Sequence, residues 1–508
     1  MPPYQAINQA AGLIIPEIIL LATVCVMFLA GPFLVSETGK APVGLRHRWG
    51  ILSLLALGAA MFAWTKAPVL EAGAGPFRPD EFVWFVRGVS LVCGMLLTLV
   101  LWDQIDDGHA AEAHACLLAI LAGVNFVALS NDLVGIFLGL ELVSIPTYIL
   151  LFLARRDWMS NEATIKYFLL SIFSSAFVLY GLSWVFGIAG TTNLTAITEK
   201  ISAASAMTNL GMFRLAMVLI IAGLSFRLTA VPFHFYAPDV FQGVTPSSAA
   251  MLSFVPKVVG FTALLRLLPV CFGEAEFTDW MPVGAVRVVL MVLAILTMFV
   301  GNLLALRQTS LLRLMAYSSI AHAGYMLVGL TVGNSSEGTS GVVSLLFYLS
   351  MYGIMTIGLF ALISAAGTFA RPLRSLSDLS GLSRSQPAIA LMMAVCLIGL
   401  SGLPPTGGFL AKLNLFLAAW SEGTADGRIL AIVLAVNAVI AATYYLRMIS
   451  VMYFEQSTVV LETSRQAAAW IAGCLCAVAT LALFLMPQPL WNAAVYALSH
   501  PWDYVYIK

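Results

Sequence analysis

Apolar stretches of about 20 residues, the length of a membrane span, fill most of the chain, and short polar segments separate them. An α-helix rises about 1.5 Å per residue, so such a stretch covers the roughly 30 Å hydrocarbon core of a bilayer. The pattern predicts an all-α, polytopic membrane protein with about 14 transmembrane helices in a single membrane domain, residues 1–508. The predicted spans begin near Gly12, Trp49, Phe82, Ala113, Asp132, Ala163, Met212, Ser247, Gly284, Leu311, Gly341, Ala388, Arg428 and Ala468.

The composition agrees with a membrane location. Hydrophobic residues make up 60% of the chain and charged residues 10%, against about 45–50% and about 25% in soluble proteins. Basic and acidic residues balance at 25 each, and there is no basic run that could bind nucleic acid. Nucleic acid is therefore excluded as a partner, and the lipid bilayer is the predicted environment. The first apolar run contains Pro16 and Glu17 and follows no Lys or Arg, which favours a retained span over a cleaved signal peptide.

Lysine and arginine are concentrated in alternate loops between the predicted spans. By the positive-inside rule these loops face the cytoplasm, and an even number of spans then places both termini outside. The basic set comprises Lys40, Arg46, Arg48, Arg155, Arg156, Arg307, Arg313, Arg371, Arg374 and Arg384, whereas the other loops carry chiefly Lys66, Arg78 and Lys200.

Prolines interrupt two of the predicted spans. The seventh runs into Pro232 and His234, and the twelfth contains two consecutive prolines within residues 403–408. Proline removes a backbone donor and clashes with the preceding turn, so each helix is expected to break within the membrane. Paired breaks indicate two inverted five-helix repeats, predicted at residues 113–272 and 284–453, with flanking spans in 1–112 and 454–508.

Several ionisable side chains lie deep inside the predicted spans or beside their breaks. A charge at the bilayer centre costs roughly 2.5–3.5 kcal/mol on insertion scales, and residues of this kind usually mark ion or proton pathways. His234, at the first break, is a candidate relay. The candidates for such a pathway, called the axis below, are Glu141, Lys166, Arg227, Lys257, His322 and Lys412.

Two members of this axis have a reasonable structural alternative. Glu141 is either one half of a permanent ion pair that fixes helix packing or a switchable partner for a nearby lysine. Lys166 follows Glu162 by four residues, so a simple pair along one helix face is the alternative to a role in the axis. Because the adjacent span offers Glu141, we expect two carboxylates within reach of Lys166, which would make it a switch.

The other members differ in how strongly they point to proton transfer. Lys257 and Lys412 are surrounded by apolar residues and lie too far from a span end for their amines to reach water easily. Burial disfavours the charged form of a lysine and a nearby carboxylate favours it, so rearranged neighbours can load and unload a proton. A histidine also relays protons near neutral pH, but a lone one in a packed helix often serves only as a hydrogen-bonding spacer, which leaves both readings open for His234 and His322.

The sequence contains no recognisable redox or nucleotide-binding motif. Its seven cysteines form no CxxC pair, and most fall inside apolar spans as small core residues do. No P-loop or dinucleotide-binding glycine fingerprint occurs. We therefore expect this chain to hold neither a metal nor a cofactor.

A set of motifs runs from the fourth to the twelfth predicted span. The segments are Asn131-Asp-Leu-Val-Gly-Ile-Phe-Leu-Gly-Leu-Glu141-Leu-Val-Ser144, Glu162-Ala-Thr-Ile-Lys166-Tyr167, Ala230-Val-Pro-Phe-His-Phe-Tyr-Ala-Pro-Asp-Val-Phe-Gln-Gly243, Val255-Pro-Lys257, Tyr317-Ser-Ser-Ile-Ala-His-Ala-Gly-Tyr325 and Gly402-Leu-Pro-Pro-Thr-Gly-Gly-Phe-Leu-Ala-Lys412. In these segments the chain resembles the antiporter-like membrane subunits of respiratory complex I, and most closely the N-type subunits of bacterial NADH-quinone oxidoreductase.

The resemblance implies a non-redox subunit of a proton-pumping translocase in the bacterial inner membrane. Electron transfer from NADH to quinone would take place in partner subunits that hold flavin, iron–sulfur clusters and quinone. Other membrane subunits of complex I would be its neighbours, and protons would move along the central axis of charged residues. One position departs from the family, which usually has lysine where this chain has Arg227. A guanidinium stays protonated in proteins, so Arg227 is expected to be a fixed cation that acts on Lys166 or Lys257 and not a proton carrier.

Two other functions remain open at this stage. A subunit of an Mrp-type cation/proton antiporter or of a membrane-bound hydrogenase would share the fold, and co-purifying partners would distinguish these from complex I. A chain that merely spaces other subunits would leave proton transfer intact after Lys257→Ala.

Overall fold

The computed structural model of the protein describes residues 12–35, 41–67, 75–154, 157–203, 210–268, 284–333, 339–367, 372–456 and 466–499. Within these ranges the regular structure is helical, apart from three isolated β-bridges. The all-α prediction is thus confirmed. The helices are α1 Ile15–Ala30, α2 Leu45–Lys66, α3 Glu81–Trp102, α4 Ala110–Leu129, α5 Leu133–Ala154, α6 Trp158–Ala189, α7 Leu194–Ala203, α8 Leu210–Leu228, α9 Ala237–Gly243, α10 Pro246–Leu267, α11 Gly284–Leu306, α12 Leu311–Val332, α13 Gly341–Ala366, α14 Leu382–Ser385, α15 Pro387–Ser401, α16 Gly407–Ser421, α17 Ala425–Phe454, α18 Ala467–Leu485 and α19 Gln488–Ser499.

Twelve helices in the described ranges are long and apolar enough to cross a membrane, which confirms an integral multi-pass protein. The predicted start that differs most from the structure is Ala163, since α6 begins at Trp158. Two predicted spans are not among the twelve. Helix α12 has 22 residues but carries several polar side chains, and the twelfth predicted span is divided between α15 and α16. The count of fourteen therefore stays a prediction.

Polar residues at the N-termini fix where several of these helices begin. The Asp80 carboxylate accepts a hydrogen bond from the backbone N–H of Val83 at 3.1 Å, and the Asp157 carboxylate accepts one from Ser160 at 2.9 Å. Each bond satisfies a donor that has no partner within the helix. Helix α10 begins with Pro246, whose missing N–H would be unpaired at that position anyway.

Both helix breaks lie where the prolines predict them. Helix α8 ends at Leu228, Thr229 adopts a left-handed conformation with φ of 58°, and the helical path resumes in α9. Helix α15 ends at Ser401, Gly402 has φ of 78°, and the path resumes in α16. The bonds Val231-Pro232 and Pro404-Pro405 are both cis. Each break leaves helix-terminal backbone groups inside the bundle, where they need partners.

The helices pack so that α10 and α13 are almost entirely enclosed by the others. Helix α4 packs along α5, α11 along α12, and α6 along α8. The short helix α9 contacts both α6 and α12, and therefore joins the two predicted repeats. The division into inverted repeats itself stays a prediction.

Candidate functional site

Glu141, on α5, binds the cation that precedes the first helix break. Arg227 Nη2 lies 3.5 Å from Glu141 Oε1 and 3.4 Å from Ser175 Oγ. The Ser175 hydroxyl donates to the same Glu141 oxygen at 2.5 Å. The Arg227 side chain is buried, whereas a quarter of the Glu141 side chain is exposed, at 25%. One ion pair with a shared hydroxyl thus ties α5 and α6 to the end of α8.

Lys166, on α6, contacts two carboxylates. Its Nζ lies 2.6 Å from Glu162 Oε1 on the same helix and 3.0 Å from Asp239 Oδ2 on α9. These three side chains line a cavity of about 150 Å³ together with Met159, Ala163, Gln242 and Gly243. Two carboxylates within reach of one amine were predicted, and the arrangement exists.

The identity of the second carboxylate was predicted wrongly. We expected Glu141 beside Lys166, but Lys166 pairs with Glu162 and Asp239 while Glu141 pairs with Arg227. The ion pair that Arg227 forms in the described part of the chain is with Glu141. Its predicted electrostatic action on Lys166 or Lys257 needs no direct contact and stays a prediction.

Asp239 is shared with the second half of the chain. Its other oxygen, Oδ1, accepts a hydrogen bond from Arg313 Nη1 of α12 at 2.7 Å. Arg313 Nη1 also donates to Gln242 Oε1 at 3.0 Å. In the sequence, Arg313 is recognisable only as part of a basic loop, and Asp239 has no evident role. The signal that could have found Asp239 is its place seven residues after Pro232, where an acidic side chain follows a helix break.

Lys257, on α10, is enclosed in neutral polar and aromatic groups. It is 1% exposed, and its Nζ donates to Ser319 Oγ of α12 at 2.5 Å. The Tyr352 hydroxyl of α13 donates to the same oxygen at 2.9 Å, and the Lys257 amine lies 5.5 Å from the centre of the Tyr352 ring. Among the described residues Lys257 forms no ion pair. Its ammonium is held by a hydroxyl and by a ring face, both of which are favourable partners for a cation.

His322, on α12, bridges two tyrosine hydroxyls. Nδ1 lies 2.7 Å from the hydroxyl of Tyr348 on α13, and Nε2 lies 3.0 Å from that of Tyr445 on α17. The Tyr445 hydroxyl is also hydrogen-bonded to Ser318. Because each ring nitrogen faces a group that both donates and accepts, either tautomer of the histidine is satisfied. The geometry fits a relay as well as a spacer.

Lys412, on α16, supplies donors to the end of the preceding half-helix. Its Nζ donates to the carbonyl oxygens of Leu400 at 2.9 Å and Ser401 at 2.8 Å. A Cβ atom at Gly402 would lie 2.6 Å from Cδ of Lys412, so only glycine leaves room for this side chain. The amine also lies 4.9 Å from the centre of the Tyr325 ring. Lys412 thus satisfies carbonyls that the second break leaves without intrahelical partners.

His234 stands apart from these contacts. It is half-buried in the first break, its carbonyl accepts a hydrogen bond from Ala237, and Nδ1 is buried without a hydrogen-bond partner among the described residues. None of its described contacts joins it to Lys166 or Arg227. Its role as a relay stays a prediction.

Two further buried ion pairs are bidentate, the geometry typical of pairs that fix helix packing. Arg87 is bidentate to Glu17, with contacts of 2.7 and 2.8 Å. Arg266 is bidentate to Asp80 at 2.6 and 2.7 Å. Burial alone would raise the pKa of the Asp80 carboxyl, but the charges and hydrogen bonds of Arg266 and the charge of Arg78 outweigh burial and lower that pKa below 3.8. Such pairs are held charged and fix the packing of α3 against α1 and α10.

The described residues contain no cluster of metal ligands. No group of three or more His, Cys, Asp or Glu side chains is close enough there to hold a metal ion. The six cysteines in the described ranges are free thiols, four of them buried, and Cys271 lies outside those ranges.

Comparison with known sequences gives a consistent set of relatives. The family described as NADH:quinone oxidoreductase/Mrp antiporter, TM matches residues 130–441, which include all the predicted axis residues and His234. The NADH-quinone oxidoreductase subunit N of Trichlorobacter lovleyi is 37% identical over 456 residues, 89% of each chain. The NADH-quinone oxidoreductase subunit N 1 of Solibacter usitatus is 34% identical over 493 residues, 96% of this chain and 97% of the relative.

Solved structures extend the likeness to the fold. A chain of respiratory complex I from Thermus thermophilus with bound aureothin has a TM-score of 0.75 and 28% identity, covering 94% of this chain and 99% of its own length. A chain of the Mrp complex from Dietzia has a TM-score of 0.80, with 96% and 98% covered. The latter is only 21% identical, so that its likeness bears on the fold alone.

Proposed function

Since the chain belongs to the NADH:quinone oxidoreductase/Mrp antiporter transmembrane family, we propose that it is the proton-translocating N-type membrane subunit of a bacterial NADH-quinone oxidoreductase. Relatives that share a third or more of its residues over most of both chains, among them those of Trichlorobacter lovleyi and Solibacter usitatus, are named NADH-quinone oxidoreductase subunit N, which supports complex I over an antiporter. The Mrp complex shares the fold at 21% identity, and no feature of the site favours it as a second candidate.

The observation that carries the proposal is the pair of buried lysines with neutral partners. Lys257 is held by Ser319 and Lys412 by the backbone carbonyls of the second break. An amine with such partners can lose or gain its proton without breaking an ion pair. A chain that serves only as a spacer would have no evident use for the Lys257 amine, because burying a charge is costly.

In the proposed axis, the ion pair of Glu141 and Arg227 sets the local electrostatic potential, whereas the buried lysines gain and lose protons. The pair between Glu141 and Arg227 opens or closes, and the position of these charges changes the potential felt by Lys257. The packing of Arg227 against Gly260, one turn from Lys257 on α10, supports this coupling: a Cβ at Gly260 would lie 3.7 Å from that of Arg227. His322 and its tyrosine partners then lie on the route between Lys257 and Lys412.

The energies involved are of the right size. Two unit charges about 8 Å apart interact by roughly 2 kcal/mol at an effective dielectric constant near 20. Moving one charge against 100 mV costs about 2.3 kcal/mol. Rearranging one or two neighbouring charges is therefore enough to load or unload a proton against a working membrane potential.

The redox work belongs to partner subunits in this proposal. The described residues offer no cluster of metal ligands, which supports holding the iron–sulfur clusters in other subunits. Flavin and quinone would be held by other subunits as well, and neighbouring membrane subunits of complex I would pack against this chain. Residues 113–272 and 284–453 would form the two inverted repeats. The excess of Lys and Arg in alternate loops, together with the predicted even number of spans, supports an orientation with both termini outside the bacterial inner membrane.

Proton pumping by the reconstituted complex tests the proposal. We expect Glu141→Ala and Lys257→Ala to abolish pumping, with NADH oxidation by quinone measured in parallel. Lys66→Ala is the matched control, because Lys66 is an exposed lysine at the end of α2 and has no place in the proposed axis. Pumping at the control level in both axis variants would overturn the proposal, as would co-purification of the chain with antiporter or hydrogenase subunits in place of the NADH and quinone subunits.

A further inference from the structure

We infer that Arg313 is a positioning residue for proton transfer: it holds Asp239 from across the two predicted repeats and so sets which carboxylate Lys166 contacts. The inference deepens the proposed function and depends on it. It assigns Arg313 a role that the sequence gave no reason to expect, since this arginine lies at the start of α12 beside a basic loop.

The geometry places Asp239 between two cations. Its Oδ2 lies 3.0 Å from Lys166 Nζ, and its Oδ1 lies 2.7 Å from Arg313 Nη1. Gln242, one turn further along α9, accepts from the same Arg313 nitrogen at 3.0 Å. Arg313 therefore fixes one oxygen of Asp239 and leaves the other free to bind or release Lys166.

Lys166 has a second carboxylate at hand. Glu162 Oε1 lies 2.6 Å from its Nζ, on the same helix face. The side chains of Glu162, Lys166 and Asp239 are each about two-fifths exposed, at 43%, 39% and 40%. Ion pairs at this exposure contribute little to stability, because water screens them. Lys166 can therefore change partners at little cost, in contrast to the fully buried pair of Arg266 and Asp80.

The cavity beside these groups gives protons access to them. It has a volume of about 150 Å³, and Glu162, Lys166 and Asp239 line it. A water molecule needs only about 10–15 Å³ of such space, so the cavity has room for several waters next to the ion pairs. A proton arriving there meets two carboxylates whose affinity for it depends on which of them Lys166 is bound to.

Helix α12 connects this exchange to the buried lysine. Arg313 lies six residues before Ser319, or about 9 Å along a helix that rises 1.5 Å per residue. Ser319 accepts the hydrogen bond from Lys257, and His322 follows within one further turn. A shift of α12 that follows from a change at Asp239 therefore reaches the Lys257 amine through one continuous helix.

The test compares the charge and the geometry of position 313 in the reconstituted complex. We expect Arg313→Gln to lower the number of protons pumped per NADH oxidised by about twofold or more, the lower end for mutations along a coupled network. Arg313→Lys keeps a cation within reach of Asp239 and should restore most of the pumping. Arg307→Gln is the matched control, because Arg307 is an exposed arginine in the segment that precedes α12.

Non-additivity distinguishes positioning from a general loss of packing. Asp239→Asn removes the same contact from the other side, so the double variant with Arg313→Gln should lose no more pumping than the worse single variant. Additive losses, wild-type pumping in Arg313→Gln, or a Lys variant no better than the Gln variant would overturn the inference. Should Arg313→Gln fail to assemble, Gln242→Leu carries the test, since it removes a hydrogen bond to Arg313 and no charge, and wild-type pumping there would also overturn the inference.

Failure of this inference is distinguishable from failure of the proposed function. Normal pumping in Arg313→Gln together with lost pumping in Lys257→Ala would remove only the role of Arg313. Normal pumping in both variants would remove the proposed function as well.

Discussion

The two helix breaks hold their neighbouring cations in different ways. Beside the first break, Arg227 pairs with Glu141, and Lys166 pairs with two further carboxylates. Beside the second, Lys412 donates to backbone carbonyls. Lys257, on the enclosed helix α10, resembles Lys412 in having a neutral partner, because it donates to the hydroxyl of Ser319. Neither Lys257 nor Lys412 forms an ion pair with any residue that the structure describes.

This difference indicates a division of work. An opposite charge stabilises the charged forms of both partners, whereas hydroxyls, carbonyls and ring faces solvate an ammonium without adding a compensating charge. The first group is therefore suited to side chains that stay charged while their contacts change, and an arginine can fill such a position. The second group is suited to proton exchange, for which lysine and histidine are needed.

The largest expected effect comes from exchanging lysine and arginine between the two groups. Lys257→Arg should reduce pumping to the background of the assay, because a guanidinium does not release its proton and losing a proton-transfer group typically costs about 10²–10⁴-fold. Arg227→Lys should keep pumping, since Glu141 needs only a cation beside it, whereas Arg227→Ala should not. The measurement is proton uptake by the reconstituted complex, with electron transfer and subunit assembly followed in parallel.

Two results would break the comparison. Wild-type pumping by Lys257→Arg would mean that Lys257 works as a fixed charge, like Arg227. Wild-type pumping by Arg227→Ala would mean that the pair with Glu141 is dispensable.

A smaller effect is expected on stability at the second break. Lys412→Met leaves the carbonyls of Leu400 and Ser401 without donors, each at about 1–3 kcal/mol, offset in part because an ammonium is no longer buried. We expect the free energy of unfolding to fall by about 1–3 kcal/mol, measured as a lower melting temperature.

Lys412→Arg is the control for this change. It keeps donors for the two carbonyls and should preserve most of the stability while losing pumping. A Lys412→Met protein as stable as the wild type would show that the carbonyls find other donors.

The smallest effect near neutral pH is expected from a pair that belongs to neither group. Arg266 lowers the pKa of Asp80 in the folded protein, so the pair stabilises the fold fully above the unfolded value of about 3.9, and this contribution is lost as the pH falls through the folded pKa. Melting temperatures should therefore show no change from this source between about pH 7 and pH 5 and a loss below about pH 4. The double variant Asp80→Asn/Arg266→Gln should lose less on acidification; an equal acid sensitivity would contradict the assignment.

Much of the fold could be predicted from the sequence because its signals are local. Apolar length identifies the spans, and Pro232 and the two prolines at 404 and 405 locate both breaks, since each acts on its own helix. The ionisable residues of the axis could also be named in advance, because a charge in an apolar run is evident without a structure. The two predicted spans outside the twelve differ in cause: α12 carries several polar side chains, whereas the break divides the other span into α15 and α16, of 15 residues each.

The pairings within the site could not be predicted for a different reason. Lys166 and Asp239 are 73 positions apart, and Asp239 and Arg313 are 74 apart. Which carboxylate faces which amine depends on how α6, α9 and α12 pack, and hydropathy patterns carry no information on that. The hydroxyls of Tyr348 and Tyr445 were missed similarly, because tyrosine in an apolar helix is usually an ordinary core residue.

The close approach of the two half-helices at the second break has a further consequence. A Cβ atom at Gly408 would lie 2.0 Å from the carbonyl oxygen of Gly399, so the backbones of α15 and α16 touch directly. Exposed side chains change rotamer within picoseconds to nanoseconds, but packed backbone segments rearrange far more slowly. The Lys412 amine is hydrogen-bonded to such a backbone segment, so its position changes little while neighbouring side chains change rotamer. A proton carrier at this end of the protein must therefore move to the Lys412 amine, because the amine itself has little freedom to move.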